Sequence, residues 1–330
     1  MECEAIPAAF STDSRGGGGR DSPAPWMQSI DKSPGRRAET LGMPVQAEIV
    51  LLLGKRVRHV CGGTLIGDRH VLTAGHCLNS YPRSLYAVFL GNLHRIVSFL
   101  KFLPRDVMAW RSIAVVSLQN SSEDGDFYAR VEKKHVHPDS KLGTSTQLPF
   151  NDIAVLKLDR KVPLGDSISP ACLPRPDDRL AEGDTVTASG FGFIEELHPS
   201  KNNTRPGKFG NRLEAMPERL QIGELKIVSP SSCAAFHASR DQILYSQYLC
   251  AESASENGTA ICNGDSGGPL TSVFRDGRTS DHLSIENVSQ RPYYWDVDLF
   301  RSSLRVRSGE LVLTSDGVPE RREIRFYGRQ

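Results

Sequence analysis

The chain has 330 residues, with 40 Lys and Arg against 39 Asp and Glu, a net charge of +1. That balance excludes bulk electrostatic attraction to nucleic acid or to an acidic membrane surface, since both need a basic excess or stripe. Apolar residues make up 38 %, enough for a buried core; the length predicts roughly two domains, and the longest apolar run, Ile49 to Leu53, is far short of the roughly 20 residues of a membrane helix.

Residues 1–37 hold Gly16 to Gly19 and Pro23, Pro25 and Pro34 among Ser, Asp and Arg. With so little to bury, they are expected to be a disordered or processed N-terminal region. Met-Glu-Cys-Glu-Ala-Ile-Pro lacks the basic start and apolar core of an export signal, so secretion would need an upstream start or an unconventional route.

From about Val45 the texture changes to short β-branched runs between turn residues: Glu48–Leu53, Thr64–Ile66, Tyr86–Leu90, Ile113–Leu118, Ile153–Leu158, Thr185–Ala188 and Leu220–Val228. Many short strands without a sustained 3.6-residue period predict an all-β barrel or sandwich. Residues 194–217 read as a long polar loop. Past about Thr271 the texture shifts again, and Leu304–Val306 and Leu311–Leu313 around Ser308-Gly309 suggest a hairpin.

Seven cysteines fall at 3, 61, 77, 172, 233, 250 and 262, none in a CxxC pair. Zinc ribbons and thioredoxin-like motifs are thereby disfavoured, and disulfides in an oxidising compartment are favoured. No metal or organic cofactor is expected. An odd count leaves at least one cysteine outside intrachain pairing. The four Asn-x-Ser/Thr sequons, at Asn120, Asn202, Asn257 and Asn287, are usable only on an exported chain.

Three segments carry reactive side chains. In Cys61-Gly-Gly-Thr-Leu-Ile-Gly-Asp-Arg-His-Val-Leu-Thr-Ala-Gly-His76-Cys77, a hydrophobic run delivers a histidine beside a cysteine. Histidine is the side chain suited to proton transfer near neutrality. In Asn151-Asp152-Ile-Ala-Val-Leu-Lys-Leu an acid enters an apolar strand, where it must be paired or hydrogen-bonded. In Cys262-Asn-Gly264-Asp265-Ser266-Gly267-Gly268-Pro269-Leu270, glycines surround one serine; they permit a tight turn and let successive N–H groups converge on an oxyanion. Taken singly, each has an ordinary structural explanation: a core histidine, a turn aspartate, a glycine-serine turn.

Together and in this order, the three resemble the catalytic segments of the chymotrypsin-like (trypsin-fold) serine proteases. The resemblance runs from about Val45 to Thr271 and includes His137-Pro138, Ala171-Cys172-Leu173-Pro174 and Ser189-Gly190-Phe191-Gly192. It implies two packed antiparallel six-stranded β-barrels, with a protease unit over 38–274. It implies Ser266 as nucleophile, His76 as general base and acid, Asp152 as the group that orients His76, and the N–H groups of Gly264 and Ser266 as the oxyanion hole. Asp265 would pair with the α-amino group freed by zymogen cleavage. Ala260, six residues before Ser266, would floor the primary pocket and favour an apolar or small side chain over Lys or Arg. The resemblance pairs Cys61 with Cys77, Cys233 with Cys250, and Cys172 with an upstream cysteine, for which Cys3 is the candidate. It gives Cys262 a downstream partner, and no downstream cysteine exists. A secreted monomeric zymogen acting on proteins or peptides, and met by protein inhibitors, is the implied setting.

The sequence departs from this family at two places. The stretch Asp31 to Pro44 does not offer Ile-Val-Gly-Gly after Lys or Arg, and the Ser-Trp-Gly and Pro-Gly-Val-Tyr segments do not follow Leu270. Residues 275–330 are therefore expected to be divergent, as from read-through past a splice junction, with the second barrel open to incompleteness. A catalytically silent protease-like binding module is the rival reading.

Overall fold

A computed structural model describes residues 46–53, 56–91, 127–142, 149–165, 168–173, 180–193, 216–238, 248–254, 261–273, 279–285, 293–295, 304–307 and 310–314. Residues 1–37, Ile113–Leu118, most of 194–217, Cys3, Ala260 and the four sequons lie outside them.

The first ring contains β1 (Gln46–Leu53), β2 (Arg56–Gly67), β3 (His70–Thr73), β4 (Tyr86–Leu90), β5 (Phe127–Val136) and β6 (Ala154–Leu158). Its antiparallel order is β1-β2-β3-β6-β5-β4, closed by β4 on β1. Strand periodicity sorts the side chains. Ala47, Ile49 and Leu51 of β1 join the barrel's core cluster with Leu65, Val71, Leu72, Val88, Ala129, Val155 and Leu156. Val50 belongs to a smaller outer cluster with Ala87, Phe89 and Tyr128. Each fully buried aliphatic side chain stabilises the barrel by about 1.5–3 kcal/mol.

The register of β1 with β2 slips once: Ile49 faces Cys61 but Val50 faces His59, so Val60 is an additional residue in β2. Such a bulge shifts the side chains beyond it to the other face of the strand. His59 is thereby placed with Val50 and Glu48 on the outer face rather than with Leu51 in the core.

The second ring contains β7 (Thr185–Gly190), β8 (Gln221–Val228), β9 (Tyr248–Ser253), β10 (Pro269–Val273), β11 (Thr279–Ile285) and β12 (Tyr293–Trp295), in the order β10-β11-β12-β9-β8-β7, closed by β10 on β7. Val186, Ala188, Leu225, Ile227, Ala251 and Leu270 fill it. The fold is thus all-β, with two six-stranded rings. Two strands of the second ring, β11 and β12, come from beyond residue 275, where the sequence offered no recognisable strand motif. The hairpin of β13 (Leu304–Arg307) and β14 (Glu310–Leu313) forms as its spacing suggested. It lies against β5 and β6, with Leu313 buried in the core cluster.

The one α-helix among the described residues, α1 (Pro230–Ala238), starts with proline at its first position, and the Ser229 hydroxyl accepts from the Ser232 N–H at 3.3 Å. Both features suit a helix start. Disulfides join Cys61 to Cys77 and Cys233 to Cys250. They close 16- and 17-residue separations, each restricting the unfolded chain by about 3 kcal/mol. Cys172 is also disulfide-bonded, and Cys262 is a buried thiol.

Candidate active site

His76 sits in a 3₁₀ turn, Gly75–Leu78, that follows β3. Asp152 just precedes β6 and is fully buried. Both carboxylate oxygens of Asp152 are committed to one residue: Oδ2 accepts from His76 Nδ1 at 2.6 Å, and Oδ1 accepts from the His76 backbone N–H at 2.6 Å. An ionised carboxylate only accepts, so the contact puts a proton on Nδ1 and leaves Nε2 with the lone pair. Asn151, which leads into Asp152, takes a left-handed φ of 49°, a conformation asparagine tolerates better than most residues.

The turn bearing His76 is clasped from behind. Lys134 of β5 donates to the carbonyls of Leu78 at 2.6 Å and Tyr81 at 2.8 Å, and the Tyr86 hydroxyl donates to the Cys77 carbonyl at 3.0 Å. Burial pushes the Lys134 ammonium below its ordinary pKa. The Cys61–Cys77 disulfide ties the same turn to β2.

Ser266 arrives from the second ring, in the loop before β10, and is 5 % exposed. Its carbonyl accepts the Gly62 N–H of β2 at 2.8 Å. Gly267 has φ +78°, and a Cβ there would collide with Thr73 Oγ1, with the Ala74 nitrogen at 2.8 Å and with the Gly62 carbonyl at 2.8 Å. The serine turn therefore rests directly on the segment that delivers His76. The Cys77 sulfur lies 3.8 Å from the Ser266 carbonyl oxygen and 3.7 Å from His76 Nε2. Gly264, at φ +102°, adopts a conformation open chiefly to glycine.

The Asp265 carboxylate lies against Gly190 and Gly192, where any added Cβ would collide with it. It accepts from the N–H groups of Gly192 at 2.6 Å and Cys262 at 2.9 Å. Burial pushes its pKa up; those two N–H groups and the nearby His59 pull the other way. His59 itself is buried, with Nδ1 3.1 Å from Glu48 Oε1 and Nε2 2.9 Å from the Gly264 carbonyl oxygen. The reading of the sequence gave no role to Glu48, His59 or Lys134, and named Gly192 only within the Ser189-Gly190-Phe191-Gly192 segment. An acid inside the apolar strand β1 and a histidine two residues from Cys61 were the signals available.

Two groups bring histidine and cysteine atoms within 4.8 Å: Cys61, His76 and Cys77, and Cys233, His237 and Cys250. In both the cysteines are disulfide-bonded, so neither offers the thiolate a metal needs.

A family model described as Trypsin matches residues 33–275. The chain belongs to the trypsin family. Similar proteins include chymotrypsin-C of Mus musculus, 29 % identical over 252 residues, covering 75 % of each chain. Chymotrypsin-like elastase family member 3B of Homo sapiens is 30 % identical over 231 residues, 70 % of this chain and 68 % of that one. Phenoloxidase-activating factor 3 of Holotrichia diomphalia is 27 % identical over 247 residues, 74 % of this chain and 56 % of its own length.

Within the trypsin-family chain, the expected pairs Cys61–Cys77 and Cys233–Cys250 are both present. His76, Asp152 and the Ser266 turn meet at one seam between the rings. Ala260 and Cys3 fall outside the described residues. No helix among the described residues is long and apolar enough to cross a membrane.

Proposed function

We propose that this chain is an active serine endopeptidase using Ser266, His76 and Asp152. The observation that carries the reading is the double commitment of Asp152 to His76, beside a serine turn that is packed on the same segment. In the proposed cycle Ser266 Oγ attacks the scissile carbonyl carbon as His76 Nε2 takes its proton. The carbonyl electrons move to oxygen, and the N–H groups of Gly264 and Ser266 stabilise that oxyanion, each donor lowering the barrier by about 3 kcal/mol. His76 then protonates the leaving amine as the C–N bond breaks, giving an acyl-enzyme. A water, deprotonated by His76, attacks the ester, and the proton returns to Ser266. Asp152 keeps the imidazole in the productive tautomer and stabilises its charged form throughout.

Asp265 is proposed as the receptor for an α-amino group freed upstream by cleavage. Its burial disfavours a lone negative charge, and an ammonium partner would relieve that cost. Ala260 would leave the floor of the primary pocket uncharged, so that an apolar or small residue before the cut is preferred. Extracellular action is consistent with the disulfides.

A fluorophosphonate probe tests the reading on the full chain before and after limited proteolysis. Labelling of the wild type, lost in Ser266→Ala, is the expected outcome. A proteolysed wild type that labels no better than Ser266→Ala would establish the silent-module reading instead. A peptide series varying the residue before the cut tests the pocket, and a preference for Arg or Lys would overturn the role given to Ala260.

A further inference from the structure

The Cys233–Cys250 bridge has a close neighbour of which the triad makes no use. His237 lies one helical turn beyond Cys233 in α1, so the two side chains share a face, and Cys250 meets them from β9. The two sulfurs and a ring nitrogen of His237 all lie within 4.8 Å of one another. All three residues are buried, whereas Ser231, Ser232, Ala235 and Ala238 turn the rest of α1 to solvent. While the bridge is closed its sulfurs are not metal ligands. That bond, however, is reversible.

What the group becomes when the bond opens follows from its donors. Two thiolates and an imidazole suit zinc, and do not suit magnesium or calcium, which take oxygen ligands. Zn–S bonds of about 2.3 Å set tetrahedral thiolates about 3.8 Å apart. The 6.1 Å between the Cys233 and Cys250 Cα atoms accommodates that separation by side-chain rotation. Zn²⁺ with two thiolates carries no net charge, so the group can stay in its apolar setting beside Val228 and Ala234. Access comes through α1, whose nine residues are too few to hold a helix without its packing. The other histidine–cysteine group differs, because the His76 ring is held by Asp152.

We propose that Cys233, His237 and Cys250 form a redox-gated zinc site, in which a dithiol reductant opens the bridge and one Zn²⁺ then refastens α1 to β9. In the first step the dithiol gives up two electrons and two protons. Its own sulfurs join as a disulfide, and Cys233 and Cys250 become thiols. In the second step Zn²⁺ displaces both thiol protons to solvent. It takes the two Sγ atoms and one nitrogen of His237, with water in the fourth position. The crosslink is exchanged rather than lost. Reduction without metal frees α1 and loosens β9, whose Tyr248 hydroxyl donates to the Pro149 carbonyl, three residues before Asp152. The inference stands apart from the reading of Ser266 as nucleophile.

The test uses the full chain as Ser266→Ala, which cannot digest itself. It is reduced with a graded series of dithiothreitol, desalted without oxygen and dialysed against Zn²⁺, Co²⁺ or Mg²⁺. Alkylation followed by peptide mass spectrometry then reads each cysteine separately. Cys233 and Cys250 should open while the circular dichroism spectrum is kept, and one zinc per chain should be retained. Zinc should slow alkylation of those two cysteines about tenfold or more, and magnesium should not. Cobalt should give a sulfur-to-metal charge-transfer band. His237→Phe should weaken zinc binding by at least the roughly 10–100-fold that loss of an outer partner costs. His237→Gln, which keeps a polar group there, should weaken it similarly. A bridge that opens only as the chain unfolds overturns the site. So does zinc that protects Cys233 and Cys250 no better than magnesium, or a folded His237 variant that binds zinc within threefold of its parent.

Discussion

Gly62 donates its backbone N–H to the carbonyl oxygen of Ser266 at 2.8 Å. One ring thus supplies the floor on which the other ring's serine turn is built. Gly62 allows this because a Cβ there would press within 2.8 Å of Gly268 Cα. At this point the two rings meet backbone to backbone, at distances that side chains would prevent.

Gly267→Ala should disturb that contact. The new methyl group meets Thr73, Ala74 and Gly62, and φ +78° is strained for alanine. A loss of about 1–3 kcal/mol in urea unfolding is expected, together with loss of probe labelling. Retention of both within error would mean the turn is looser than its geometry indicates.

Asp152→Asn should keep the fold and lose the chemistry. The amide can occupy the same space, but it offers one acceptor oxygen where His76 presents two donors, and its NH₂ donates to Nδ1 instead, so the imidazole settles in the wrong tautomer. A fall of about 10⁴-fold in kcat is expected, measured on a peptide ester, with a melting temperature within a few degrees of wild type.

Acid should destabilise the protein in a window set by two histidines, His137, which is buried, and His70, which is half-buried. His137 has its pKa pushed below the ordinary 6.5 by burial, against a smaller upward pull from Asp139, and burial lowers His70 likewise. The Asp139 N–H donates to His137 Nδ1 at 3.1 Å, a contact that requires the neutral ring. With the folded value depressed, stability is fully present above about 6.5. It declines as pH falls from there through the folded value, because the unfolded chain takes up protons first. Melting temperatures measured from pH 8 to pH 5 should fall across that range. His137→Asn, which keeps an acceptor without titrating, should flatten the slope.

Lys134→Met should loosen the His76 turn from outside the triad. The methionine fills the space of the lysine stem but leaves the Leu78 and Tyr81 carbonyls without this donor. A cost of about 1–3 kcal/mol is expected, with kcat lowered more than KM is raised. Hydrogen exchange at residues 76–81 would register the loosening directly.

Much of the seam was legible in the sequence because its residues advertise themselves locally. Gly-Asp-Ser-Gly-Gly shows backbone freedom around a nucleophile, and His76 and Asp152 each stand at the end of an apolar run. The strands from Glu48 to Leu53 and from Leu220 to Val228 were visible through β-branching and flanking turns. Glu48 and His59 were not, because their pairing depends on a one-residue slip at Val60, and no periodic pattern announces a slip. The closing strands β11 and β12 were missed for a different reason. Thr279–Ile285 contains Ser, Asp and His, and takes its place through pairing with β10 and with Tyr293–Trp295 rather than through its own hydrophobicity.

The docking of Leu313 has a consequence for how the molecule is made. Val71 and Leu156 must wait for a residue more than 150 positions later before the cluster they share with it is complete. During synthesis the earlier ring emerges with that flank bare, and its last apolar contact forms only after the whole later ring has been made. Contacts of such long sequence separation slow folding, and they also join the two halves into a single cooperative unit. Heat or denaturant should melt both together, as one transition.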